Sequence, residues 1–272
     1  MKHILVPTDF SPQAEFALKV AAQLAKRHDA DIYLLHMLDL PLHLATVDSG
    51  QLPEAVFFMK LAHKKFEKFM DKEYLKDINV YETVEPYKTH DGITHAIKKN
   101  NIDFIVMGSN GATGVKEMFI GSNTEKVVRT STVPVLVIKD EIKSFEINNL
   151  VYACSFEPDS FDAYKRAAEF ANSFDAKMHL LFVNTPNQFT TTTESEDKMN
   201  SFINKVKPNT YTLNVYNDNT VEDGILSFSQ TVKADAIGIS THGRKGLNHF
   251  FNGSIGEDVA NHAIRPVITF KM

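Results

Sequence analysis

Gly108, Gly111, Gly114, Gly121 and Ser122 fall within one stretch of fifteen residues, GSNGATGVKEMFIGS. Glycine lets backbone N–H groups crowd around a ligand with no Cβ in the way. A helix opening at Gly121-Ser122 would add unpaired N–H groups and the positive end of its dipole. That combination captures anions, phosphate above all. The competing reading is a glycine-rich turn closed by a serine cap, with no ligand. Asp9 is the carboxylate that bears on the choice. Asp9 and the glycine stretch each follow a short apolar run that reads as a strand. If those two strands are neighbours, Asp9 faces the loop across one crevice.

A second copy of the layout favours the anion reading. Ser240 to Ser254, STHGRKGLNHFFNGS, repeats it 132 positions later. Aligning Asp91–Ile138 with Asp223–Phe270 without a gap gives 14 identities in 48 positions. Chance would give about three at average residue usage. They include Asp91/Asp223, Gly111/Gly243, Gly121/Gly253, Ser122/Ser254 and Pro134/Pro266. This is an internal duplication. Two domains are therefore expected, 1–140 and 149–272, joined by the polar stretch Lys139–Asn148.

The elements needed to position these residues are legible in outline. Lys2–Pro7 reads as a first strand, and Ser11-Pro12 as a helix start, cap then first-turn proline. Strands follow at Asp31–Leu38, Asn79–Val84, Asp103–Met107 and Val133–Ile138. Helices are predicted between them, the first opening at Pro12 with Phe16, Ala17, Val20, Ala21, Leu24 and Ala25 at helical spacing and the others at 53–75, 91–99 and 122–130. The longest carries apolar Val56, Met59, Leu61, Phe66, Phe69 and Met70 beside a lysine-rich solvated face. The second half repeats the order. Pro158–Phe174 is its first helix, Thr190–Ser195 a polar loop, and Glu196–Val206 its second helix. Strands alternating with helices imply a parallel sheet covered on both faces. Such sheets bind ligands beyond the carboxyl ends of their strands, where strand order reverses.

Composition excludes several classes of function. A net charge of −5 with no basic block argues against nucleic acid and anionic membrane as partners. No apolar run approaches the length of a membrane span. MKHILVPTDFS meets Pro7 and Asp9 too early for a signal peptide. Cys154 is the single cysteine, which rules out an intrachain disulfide and suits a reducing cytoplasm. It reads as a buried structural residue, not a nucleophile. His242, His249 and His262 lack a metal-ligand pattern and read as loop or surface residues. The P-loop signature GxxxxGK[ST] is absent, which argues against fast phosphoryl transfer.

ILVPTDFS at the start, the strand LLHML, and Gly108-x2-Gly111-x9-Gly121-Ser122 followed by PVLVI together resemble the universal stress protein family. The resemblance covers the whole chain as two tandem copies. It implies a five-stranded parallel sheet of order 3-2-1-4-5 in each copy, helices on both faces and, in one branch, ATP binding. Carried over by position, Thr8, Asp9 and Met37 would hold the adenosine, and Met107 and Gly108 would line the crevice. Asn110, Gly111, Gly121, Ser122 and Asn123 would meet the phosphates of ATP or a related adenine nucleotide, with Mg as accompanying ion. Asn123 departs from the family, which more often has an apolar residue there.

The second copy departs further: Ser155 stands at the place of Asp9, Phe182 at that of His36, and Ser240 at that of Gly108. Gly243, Arg244, Gly253 and Ser254 are its remaining candidate contacts. The family also implies that the fifth strands pair across a twofold axis. Here that would make a pseudo-dimer inside one chain, with a homodimer of two chains beyond it. The expected role is a cytoplasmic stress sensor or regulator acting on a client protein. The rivals are an interaction module without nucleotide, and a slow ATPase or self-phosphorylating protein.

Overall fold

A computed structural model describes residues 1–38, 52–85, 89–109, 120–204, 206–241 and 255–272. The chain forms two compact units. Among the described residues, the first holds 1–109, 121–127 and 138–145, and the second 120, 128–137 and 146–272.

In chain order the first repeat contributes β1 (His3–Pro7), α1 (Pro12–His28), β2 (Asp31–Met37), α2 (Leu52–Met70), β3 (Val80–Glu85), α3 (Thr89–Lys99), β4 (Phe104–Gly108), α4 (Ser122–Thr130) and β5 (Val135–Ile138). The second contributes β6 (Asn149–Ala153), α5 (Phe161–Asn172), β7 (Lys177–Asn184), α6 (Thr192–Ile203), β8 (Thr210–Asn217), α7 (Val221–Thr231), β9 (Ala236–Thr241), α8 (Ile255–His262) and β10 (Val267–Lys271).

In the first unit β1 lies between β2 and β4, and β2 pairs with β3, all in parallel. Just past β4 the Ser109 N–H donates to the Ile138 carbonyl, the last residue of β5, at 2.9 Å. The second unit has the parallel order β8-β7-β6-β9-β10, which is 3-2-1-4-5 in its own count. There β5 pairs antiparallel with β10, Leu136 opposite Ile268. The central strands are apolar at nearly every position because both faces are covered: Ile4, Leu5, Val6, Ile105 and Val106 are fully buried.

The helix start at Ser11-Pro12 forms as its chemistry dictates. The Ser11 hydroxyl accepts the Ala14 N–H at 3.2 Å, and Pro12 opens the first turn. Ala14, Ala17, Ala21 and Ala25 are buried, and their small size lets α1 sit close to the sheet. The linker stretch is tied to the same helix. The Phe145 N–H donates to Gln23 Oε1 at 2.7 Å, Lys19 pairs with Glu141, and the Phe145 side chain is buried.

Three helices differ from expectation. α2 ends at Met70, and a short 3-10 turn, Glu73–Leu75, follows. Its buried face is carried by Ala62, Phe66 and Phe69, while Val56, Met59 and Leu61 are exposed. Apolar type therefore overstated the width of its core face. In the second unit the first-helix segment opens with a 3-10 turn, Pro158–Ser160, and α5 begins only at Phe161. Residues 190–195 are not a loop throughout: α6 starts at Thr192 behind a capping box. The Glu194 N–H bonds to Thr191 Oγ1 at 3.3 Å, and Glu194 Oε2 accepts the Thr191 N–H at 2.9 Å. Among the described residues, no helix is long and apolar enough to cross a membrane.

Candidate functional site

The first unit gathers its chemistry at the carboxyl ends of β1, β2 and β4. β1 and β4 run in register with Ile4 opposite Phe104 and Leu5 opposite Ile105. Continued beyond the ladder, that register sets Thr8 level with Gly108. The β1–β2 register, Pro7 opposite Leu35, likewise sets Asp9 level with Met37. Four of the expected residues thus end on three adjacent strands.

Thr8 is held from three directions. Its N–H donates to the Leu35 carbonyl at 2.8 Å, and its Oγ1 accepts the Phe10 N–H at 2.9 Å. Its carbonyl accepts the His36 Nδ1–H at 2.8 Å. Asp9 is exposed, with Oδ1 accepting the Ser11 N–H at 3.0 Å. That bond orients the carboxylate at the mouth of α1. The next residue, Phe10, takes a left-handed backbone with φ 66°. Its ring packs against His36 and Phe66, with centroids 4.6 and 5.1 Å away, and Lys65 Nζ stands 5.6 Å over it. Burial lowers the His36 pKa, partly opposed by its bond to the Thr8 carbonyl. The ring is then neutral at pH 7 with Nε2 as an acceptor.

Met107 is buried in β4, while Gly108 and Met37 are partly exposed. Gly108 has no room for a side chain on one side: a Cβ there would stand 2.8 Å from the Gln13 carbonyl oxygen in the first turn of α1. Past β4, the Ser109 carbonyl accepts the Gly121 N–H at 2.6 Å, and the Gly108 carbonyl accepts Thr124 Oγ1–H at 2.9 Å. Gly121 is thereby drawn to the end of β4. Its own carbonyl takes the Glu125 N–H at 3.0 Å and starts α4. Ser122 and Asn123 are exposed in the first turn, where amides have no carbonyl partner inside the helix. Asn110, Gly111, Gly243, Arg244, Gly253 and Ser254 lie outside the described residues, as do His242 and His249.

The second unit repeats the geometry with the openings shut. Phe156, at the place of Phe10, also has a left-handed backbone, φ 56°. Cys154, Ser155, Val183 and Ser240, at the places of Thr8, Asp9, Met37 and Gly108, are all buried. Lys198 Nζ stands 5.6 Å over the Phe182 ring and pairs with Glu157 at 2.5 Å. Ser240 stands at the place of Gly108, and this copy opens its first-helix segment with a 3-10 turn, Pro158–Ser160, in place of an α turn. Burial pushes the Cys154 thiol up to about 12, so it is no nucleophile in the folded chain.

Sequence reasoning passes over Phe10, Lys65 and Thr124. Lys65 carries no local signal. Thr124 has one, since the second copy replaces it by Gly256 two residues after the same Gly-Ser pair.

The model of the Universal stress protein family matches residues 1–139. Universal stress protein MJ0577 of Methanocaldococcus jannaschii is 32% identical over 154 residues, covering 51% of this chain and 94% of the relative. Universal stress protein YxiE of Bacillus subtilis is 30% identical over 151 residues, covering 50% and 97%. Over nearly the full length, the crystal structure of a universal stress protein from Archaeoglobus fulgidus has a TM-score of 0.67 at 20% identity, covering 99% of this chain and 96% of that one. That likeness bears on the fold alone. The family match over the first half of the sequence agrees with the strand order found in both halves, and the chain belongs to the universal stress protein family.

Proposed function

We propose that the first copy binds an adenine nucleotide, ATP foremost, and that the protein works as a nucleotide-dependent sensor or regulator. The observation that carries this is the contrast between the two copies. Asp9, Met37 and Gly108 are accessible at their strand ends, whereas Ser155, Val183 and Ser240 are buried. An exposed carboxylate suits the adenine amine or the ribose hydroxyls, which are donors. The first turn of α4, with exposed Ser122 and Asn123, suits the phosphates. Gly108, partly exposed at the end of β4, leaves its backbone accessible beside Asp9, while the close approach of α1 through Gln13 accounts for its being glycine. Asn110 and Gly111 are assigned to the phosphates by the family resemblance. Mg²⁺ would be held chiefly by the nucleotide's own phosphates. The second copy is a scaffold in this reading, and Gly243, Arg244, Gly253 and Ser254 are secondary candidates.

The antiparallel pairing of β5 with β10 supports a pseudo-dimer built within one chain. A homodimer, a client protein and a cytoplasmic location complete the proposal. The test is the nucleotide released from heat-denatured protein, read by chromatography, for wild type, Asp9→Ala and Gly121→Val. The expected result is close to one adenine nucleotide per chain in wild type and loss in both variants. Two per chain would assign a site to the second copy as well. None, with no binding at millimolar ATP, would leave an interaction module without nucleotide.

A further inference from the structure

We infer that Thr124 is a positioning residue that sets the phosphate end of the first copy's site, an inference that rests on the nucleotide reading above. Thr124 is the third residue of α4 and is buried. Its Oγ1–H donates to the Gly108 carbonyl at 2.9 Å, so it points back at β4 and away from any ligand at the helix mouth. The neighbouring carbonyl, Ser109, is taken by the Gly121 N–H at 2.6 Å. Two successive carbonyls leaving β4 are thus both claimed by the start of α4, one through backbone and one through Thr124. A single bond leaves a helix free to pivot about it. Two bonds, from residues three apart, fix its roll and its distance from the strand end. The helix can serve as an anion site only if its free amides converge on the place where the strand-end residues hold the rest of the ligand.

The side chain suits this task. Threonine has few χ1 rotamers, so its hydroxyl is aimed at little entropic cost. The hydroxyl is buried, and losing its acceptor would leave it unsatisfied.

The second copy supports the inference independently. Gly256 stands at the place of Thr124, and a Cβ there would lie 2.9 Å from the Thr241 methyl. That copy therefore has no hydroxyl to make the bond and no room for one. It has also lost the carboxylate at the place of Asp9. The clamp and the acceptor are absent together, as expected if both serve one ligand.

The experiment compares ATP with adenosine, which lacks phosphates, by titration calorimetry on the full chain. Thr124→Val keeps the shape and removes the hydroxyl; Thr124→Ser keeps the hydroxyl. The expected result for Thr124→Val is about tenfold weaker ATP binding, the equivalent of one net hydrogen bond. Adenosine affinity should stay within about twofold, and Thr124→Ser should recover most of the ATP affinity. If Thr124→Val binds ATP like wild type, or loses ATP and adenosine in equal proportion, Thr124 supports the fold alone and the inference is wrong. If wild type binds neither compound, the nucleotide reading itself fails and takes the inference with it.

Discussion

Phe10 and Phe156, 146 positions apart, hold the same left-handed backbone, φ 66° and 56°, each with its ring in an aromatic cluster. Phe10 meets Phe66 and Phe69, and Phe156 meets Phe182 and Phe202. For a bulky residue this backbone is strained by about 1–2 kcal/mol, so packing must hold it there. The buried member of the pair gives a clean test. Phe156→Ala should destabilise the chain by about 3 kcal/mol or more through lost packing. Phe156→Gly should cost about 1 kcal/mol less, because glycine relieves the strain. Glycine above alanine in a denaturant series reverses the usual order for a position with ordinary backbone angles. Alanine above glycine would mean that the backbone relaxes once the ring is gone.

Gly108→Ser should harm the first copy although serine is natural at the matching place in the second. The new Cβ meets the Gln13 backbone at 2.8 Å, and backbone in a helix cannot step aside as a flexible side chain does. A loss of about 1–3 kcal/mol is expected from thermal or urea unfolding. No loss would imply that the start of α1 can convert to the 3-10 turn seen at Pro158–Ser160.

Thr191→Ala removes the acceptor that opens α6. The expected loss is about 1 kcal/mol, read from the urea midpoint. Glu194→Gln keeps the reciprocal bond to the Thr191 N–H and should lose less.

Stability in alkali should move in two opposed ways. The Cys154 thiol is raised by burial from an ordinary 9.0 to about 12, so the folded chain keeps a proton that the unfolded chain releases. The stability this gives is complete below pH 9 and is lost as pH rises toward 12. Tyr152 and Tyr164, also raised by burial, add to the fall above pH 10. Burial lowers Lys139 from 10.5 to about 8, so between those values the unfolded chain holds the extra proton. Its contribution therefore rises with pH across that window. Urea midpoints at pH 7.5, 9 and 10.5 should fall less steeply for Cys154→Ala than for wild type, and more steeply for Lys139→Met. Parallel curves for all three proteins would contradict both assignments.

Local chemistry was legible wherever one short stretch carried it. Ser11-Pro12 announced the start of α1, and the doubly buried strands showed as apolar runs. The opening of α6 carries a local signal too, Thr191-x-x-Glu194, but it lies inside a polar run that reads as a loop. The buried face of α2 was not legible, because Val56, Met59 and Leu61 are as apolar as Phe66 and Phe69 yet face solvent. What sits opposite a helix is a property of the tertiary fold. The same limit applies to the site. Gly108 announced itself as a glycine, but the reason it must be one is the Gln13 carbonyl, 95 residues away in sequence. Thr124 and Lys65 acquire meaning only once β4 and Phe10 are placed beside them.

The pairing of β5 with β10 bears on how the gene could be divided. Residues 128–137 are encoded with the first repeat yet belong to the second compact unit. A fragment starting at Glu146 would carry β10 with a bare, apolar antiparallel edge, a template for self-association. A fragment ending before it would carry β5 without the strand it pairs with. Pairing of β5 with β10 therefore acts as a ratchet on the duplicated gene: neither half can be released as a single-repeat protein without exposing an edge that the other strand now covers.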